Sequence, residues 1–168
     1  MCDTADMIGI IRNVVLAVLA VVAGLVSVFL VGMRRKSPPV VDAVRRFNKA
    51  VSNPKQMATA GTPGAYASII EHVGRRSGAT YRTPIGTQAV PDGFLVTLPY
   101  GTRADWVQNV LAAGQAVVTA DGETVPVDHP EILSAADVAD QLPPNEQRLL
   151  KLFNVEQFLR LRRANAEV

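Results

Sequence analysis

Arg75, Arg76 and Ser77 lie between Gly74 and Gly78, and Arg82 follows on the far side of the same turn. Glycines at both ends let backbone N–H groups converge. Guanidinium forks bind phosphate or carboxylate in a bidentate manner, and such charge-assisted bonds are worth roughly 1.5–3 kcal/mol each. Cations crowded at one spot repel each other unless an anion lies between them, so the run reads as an anion clamp. A hydrated basic hairpin tip is the plain alternative, and the same residues fit it.

A second group lies further on. Leu98-Pro99-Tyr100-Gly101 ends an extended run in a sharp turn, where Pro99 stiffens the chain and Gly101 permits close backbone approach. Backbone groups at such a strand end can hydrogen-bond the edge of a flat heterocycle. Trp106 and Asn109, three apart on a predicted helix, share a face. On frequency Trp106 is a core anchor. Asn109 fits a core less well, because an unpaired buried amide costs about 1–3 kcal/mol.

The elements that must position these groups follow from punctuation and periodicity. Ala65 to Val73 alternates as a strand, the turn Gly74–Gly78 follows, and Thr80 to Val90 is expected as one returning strand. Pro91-Asp92-Gly93 makes a hairpin into a strand over Phe94–Pro99, and Asp121-Gly122 joins strands at Ala116–Ala120 and Glu123–Val127. A helix is expected over Asp105–Ala113, with Thr102 as its N-cap and Gly114 as its stop. Two further helices are expected over Glu131–Leu142 and Pro144–Ala164, while Asn53-Pro54 and Gly61-Thr62-Pro63-Gly64 read as loops. Short strands with tight turns and one inserted helix suggest a small antiparallel barrel.

Gly-Arg-Arg-Ser-Gly followed by Tyr-Arg-Thr-Pro, then Leu-Pro-Tyr-Gly and Asp-Trp-Val-x-Asn, resembles the deazaflavin-dependent nitroreductase family of mycobacteria and related actinobacteria. The resemblance covers roughly Val40 to Pro130, with both motifs in order. It implies a split β-barrel, similar to the barrels that bind flavin mononucleotide (FMN), and coenzyme F420 as cofactor, a deazaflavin with a phosphate and an oligoglutamate tail. It further implies that Arg75, Arg76, Ser77, Gly78 and Arg82 hold the phosphate and acidic tail, and that Thr83 and Pro84 line the ribityl path. Leu98, Pro99, Tyr100 and Gly101 would pass along the ring, with Trp106 and Asn109 shaping the neighbouring wall. No catalytic residue is assigned. The implied reaction is hydride transfer, in which the cofactor carries the hard chemistry and the protein orients and dries the site. Family members active on nitroimidazoles carry tyrosines near the C-terminus, whereas this chain has no Tyr after Tyr100. FMN remains the alternative cofactor on the same barrel, and a non-catalytic cofactor-binding membrane protein the alternative function.

Bulk properties narrow the classes. With 168 residues, 48% apolar and 19% charged, the chain suits one ordinary domain with an extension and not a disordered tail. A net charge of +2 gives no nucleic-acid footprint. The single cysteine, Cys2, forms no internal disulfide, and two isolated histidines, His72 and His129, have no ligand spacing for a metal. Val14 to Met33 is uncharged and just long enough to cross a ~30 Å hydrocarbon core, and Arg34-Arg35-Lys36 follows at once. The positive-inside rule then places the domain on the cytoplasmic side of the cell inner membrane, as a single-pass protein.

The expected organisation is α+β and mainly β: an anchor over 1–36, a linker and short helix over 37–60, the split-barrel core over 61–130, and C-terminal helices over 131–168. In the short helix, Val40, Val41, Val44 and Phe47 form an apolar face, and Arg45, Arg46 and Lys49 face either anionic headgroups or water. The expected partners are membrane lipid and a small hydrophobic acceptor, quinone-like or an unsaturated lipid. Pairing of two copies through a sheet face stays open.

Overall fold

The structure, a computed structural model, describes residues 4–164, without the side chains of Thr4, Ala5, Asp6, Asn145 and Leu149; Cys2 lies outside that range. The chain begins with α1 (Thr4–Arg34), whose segment Met7–Arg34 is long and apolar enough to cross a membrane and buries none of its apolar window in the protein. A turn at Arg35–Ser37 leads to α2 (Pro38–Phe47), where Pro38 and Pro39 occupy first-turn positions that need no backbone donor. The helix runs on through a π-helical turn, Asn48–Ser52, into α3 (Asn53–Gln56). Asn53-Pro54 is therefore helical and not a loop, because Pro54 falls in the first turn of α3, where its ring does no harm.

Among the described residues seven antiparallel strands form one sheet: β1 (Ser68–Val73), β2 (Thr80–Ile85), β3 (Thr87–Val90), β4 (Gly93–Thr97), β5 (Gln115–Ala120), β6 (Glu123–Ser134) and β7 (Gln157–Arg163). The order across the sheet is β2-β1-β5-β6-β7-β4-β3. The edge strands β2 and β3 are thus neighbours in sequence, separated by Gly86 alone. Six strand spacings would hold the edges of a flat sheet roughly 29 Å apart, while a one-residue link spans at most about 7 Å. The sheet therefore curls into a half-barrel with its two edges drawn together at Gly86. Ser68 on β1 reaches across this seam to Thr87 on β3, hydroxyl to hydroxyl at 2.6 Å.

The extended run 80–90 is accordingly two strands, β2 pairing with β1 and β3 with β4. A larger correction concerns the C-terminus. β6 continues to Ser134, so Glu131–Leu142 is helical only over α5 (Ala135–Val138) and a single 3₁₀ turn, Ala139–Gln141. Ser134 closes that helix with a capping box to Asp137. Likewise Pro144–Ala164 is helical only as α6 (Pro144–Phe153); Asn154 adopts the left-handed conformation that stops it, and β7 follows in mid-sheet between β6 and β4.

β4 and β7 are buried on both faces. Phe94, Val96, Leu159 and Leu161 point into the curl, where Ile70, Val118 and Val127 meet Val107 and Val110 of α4 (Asp105–Ala113). Leu95 and Phe158 point outward beneath α5 and α6, against Val138, Leu142 and Val155. Gly93 sits where the two strands approach most closely: a Cβ there would collide with the carbonyl oxygen of Leu161.

Candidate functional site

The β1–β2 hairpin turns through Gly74–Ala79, closed by Gly74 N–H to the Ala79 carbonyl at 2.8 Å. A side chain at Gly74 would lie 2.5 Å from Ser77 Oγ and 2.6 Å from the Tyr81 ring. That close approach lets Tyr81 stack on His72 with ring centroids 5.9 Å apart. Beside the hairpin, α4 ends at Gly114 in the left-handed region. The helix begins after Ala104, which offers no side-chain cap. Thr102 is not that cap; its carbonyl instead accepts a 3.0 Å bond from Gln108 Nε2.

Between hairpin and helix runs a continuous chain of polar contacts. Asp105 Oδ1 holds Arg75 Nη2 at 3.1 Å, and Asn109 Oδ1 accepts from Arg75 Nη1 at 2.8 Å and from the Arg75 backbone N–H at 3.1 Å. With its oxygen taken, Asn109 turns its Nδ2 to His72 Nδ1 at 3.2 Å. His72 Nε2 then faces Thr83 Oγ1 at 3.2 Å. His72 and Asn109 are both buried. Burial lowers the His72 pKa, favouring the neutral ring. A neutral ring that accepts at Nδ1 carries its proton on Nε2 and donates to Thr83. The Thr83 hydroxyl hydrogen is left to point elsewhere.

The Leu98–Gly101 turn is fixed from three sides. Gly101 N–H bonds the Leu98 carbonyl at 3.0 Å, Lys36 Nζ donates to the Pro99 carbonyl at 3.2 Å, and Asn48 Nδ2 donates to the Tyr100 hydroxyl at 2.6 Å. Burial raises the Tyr100 pKa against the opposing effect of the Asn48 bond, so the phenol keeps its proton at neutral pH. Burial lowers that of Lys36, opposed by the charge of Glu156.

Both motifs border one open cavity of about 1480 Å³. Its walls include Arg75, Arg76, Ser77, Arg82, Thr83 and Pro84 from the hairpin, and Leu98, Pro99, Tyr100, Gly101, Trp106 and Asn109 from the second group. Gly78 is not on the wall; it sits at the exposed hairpin tip with φ +67°, shaping the turn. The arginines divide the work. Arg75 spends its fork on Asp105 and Asn109, whereas Arg76 has no hydrogen-bond or ion-pair partner among the described residues. Arg82 has a loose, exposed contact to Glu71 at 4.0 Å. A further set of cations enters from across the cavity: Arg45 and Arg46 of α2 and Lys49 of the π turn. Their shared face is legible in the sequence, but its direction is not. His72 and Asn48 also belong to the site; nothing in the spacing of Asn48 marks it, while His72 stands out only as a polar residue on the buried face of a strand.

The chain is similar over part of its length to twelve solved chains, among them the following two. A protein of unknown function from Agrobacterium tumefaciens str. C58 aligns with a TM-score of 0.42 and 17% identity, over 58% of this chain and 48% of its own. The match thus spans about half the length of that protein. A second solved chain aligns with a TM-score of 0.42 and 15% identity, over 63% of this chain and 76% of its own. No protein-family model matches the sequence, and no curated protein matches it.

Proposed function

We propose that the protein is a membrane-anchored oxidoreductase that passes a hydride from reduced F420 to a hydrophobic acceptor, a quinone-like compound or an unsaturated lipid. One observation carries the reading: two motifs far apart in sequence border the same cavity, one as a cationic hairpin and the other as a turn beside an indole. The half-barrel is read as a split β-barrel of the FMN-binding kind, and α1 as a single span of the cell inner membrane, with Arg34-Arg35-Lys36 holding the domain in the cytoplasm.

The residues present suit the cofactor. Cations outnumber acids on the wall, Arg45, Arg46, Lys49, Arg75, Arg76 and Arg82 against Asp42, Asp105 and Glu146, which favours a polyanionic ligand. Arg76, Ser77 and Arg82 hold the phosphate and acidic tail. Leu98 to Gly101 and Trp106 border the ring, and Asn109 acts by locking Arg75 and His72. When bound, the deazaflavin supplies the hydride. The protein orients the acceptor against it; Tyr100, held protonated by burial, is one source of the balancing proton, and water in the open cavity is another.

FMN is the second reading, and the inward turn of Arg75 favours it, because the hairpin alone then offers fewer open forks. Titration of the full chain with F420 and with FMN, followed by absorbance, decides between them. Tight binding of F420 and its oxidation by a membrane quinone or an unsaturated acyl compound is the expected result. Binding of F420 without oxidation by either acceptor removes the enzyme reading, and no binding of F420 removes the cofactor.

A further inference from the structure

We propose that α2 rests in the bilayer interface on its apolar stripe, and that the cavity behind it opens beside the membrane, between α2 and α6. This rests on reading α1 as a membrane span.

The helix leaves part of its apolar stripe uncovered, with Val40, Val41 and Val44 half-buried and the residues beyond them exposed. Its charged positions Asp42, Arg45, Arg46 and Lys49 border the cavity. Its apolar stripe faces away: Phe47 is 58% exposed and Val51, one turn on in the π segment, 36%. A soluble surface helix turns such a stripe into its own core. The same stripe begins at Val40, which packs so closely on α1 that a Cβ at Gly32 would lie 2.6 Å from its Cγ2. The exposed stripe is therefore continuous with the apolar surface of α1, and the occupant that covers one covers the other.

The domain is also held fast where α1 ends. Arg34 Nη1 donates to the carbonyls of Lys151 and Leu152 at 3.3 and 3.1 Å, capping the last turn of α6. Asn154 Nδ2 returns a bond to the Arg34 carbonyl at 3.4 Å, and Lys36 reaches Pro99 in the cavity wall. Helices α2 and α6 thus meet the same turn of α1, and both border the cavity, α6 through Leu150 and Phe153. Leu152 is exposed on the same turn, and Arg35, Arg148 and Lys151 are exposed around it. Apolar side chains within a cationic rim suit an anionic phospholipid surface. An acceptor dissolved in the bilayer then enters the cavity without crossing water.

The test uses the full chain in a Cys2→Ser background, reconstituted into vesicles of neutral and anionic phospholipid, with bimane attached at Phe47→Cys, Val51→Cys or Lys49→Cys. Nitroxide carried on the lipid should quench the labels at 47 and 51 and spare the label at 49, which lies on the opposite face. Equal quenching at all three positions, or none at 47 and 51, overturns the proposal; the second pattern is also what a protein partner covering the stripe would give. Flotation of the same vesicles separates the layers of the argument. A chain that fails to float refutes the span and the proposal together, whereas a floating chain with unquenched 47 and 51 refutes the proposal alone. F420 titration of the same samples reads the cofactor assignment independently of either result.

Discussion

The side-chain amide of Asn109 donates to Nδ1 of His72 at 3.2 Å, and that single contact fixes which nitrogen of a buried ring carries the proton. The amide has no freedom to flip, since its oxygen already receives two N–H groups from Arg75. Asn109→Leu therefore strands a nitrogen of the buried ring, while the exposed Arg75 guanidinium keeps Asp105. A stranded buried nitrogen costs about 1–3 kcal/mol. A drop in the denaturation midpoint of that order is expected, and an unchanged midpoint would refute the polar chain.

The same ring makes stability depend on pH. Burial depresses the His72 pKa below its usual 6.5. Above pH 6.5 both folded and unfolded chains hold it neutral, and its contribution is fully present. As pH falls below 6.5 the unfolded state takes up the proton first, so stability declines until the folded-state pKa is passed and then levels off. His72→Gln should flatten that decline. Denaturation curves between pH 5 and 8 for both proteins read the difference.

Arg75 and Arg76 adjoin in sequence and should differ in effect. Arg76→Ala and Arg82→Ala should weaken anionic cofactor binding by roughly 1–3 kcal/mol each while leaving the unfolding midpoint in place. Arg75→Ala should lower both, because its guanidinium bridges the hairpin to α4. Titration and unfolding measured on the same samples check this; equal behaviour of the three variants would count against the division of labour.

Gly93→Ala should prevent stable folding, or cost upwards of about 3 kcal/mol, since the added methyl meets the Leu161 backbone and not a movable side chain. Gly86→Ala, with open space around the site, should fold normally. Circular dichroism and thermal melting of the pair supply the comparison.

Much of this arrangement can be read from residue order alone. Asp121-Gly122 and Pro91-Asp92-Gly93 mark their hairpins, Gly114 ends α4, and α1 announces itself by length. What stays hidden is non-local. In β7 the alternation of Leu159 and Leu161 with Arg160 and Arg162 is a strand signal, but it follows the apolar run of α6 without a Gly or Pro, and Asn154 alone marks the break. In β6 the irregularity between Asp128 and Glu131, with His129 at φ +47°, interrupts the two-residue period and masks the strand beyond it. At the site, residue types suggest a cationic turn and a flat ledge. The bend of Arg75 toward α4 and the arrival of Arg45, Arg46 and Lys49 on the opposite wall depend on which face of a helix meets the half-barrel, which no local spacing encodes.

Gly86 joins the two rims of the curled sheet with a single residue. Thr83 and Pro84 border the cavity just before it, and Thr87 and Gln88 border it just after. A molecule seated there would touch both rims at once, across a link one residue long. Whatever fills the cleft would therefore bear on the seam of the half-barrel, like a finger laid on the clasp of a bracelet.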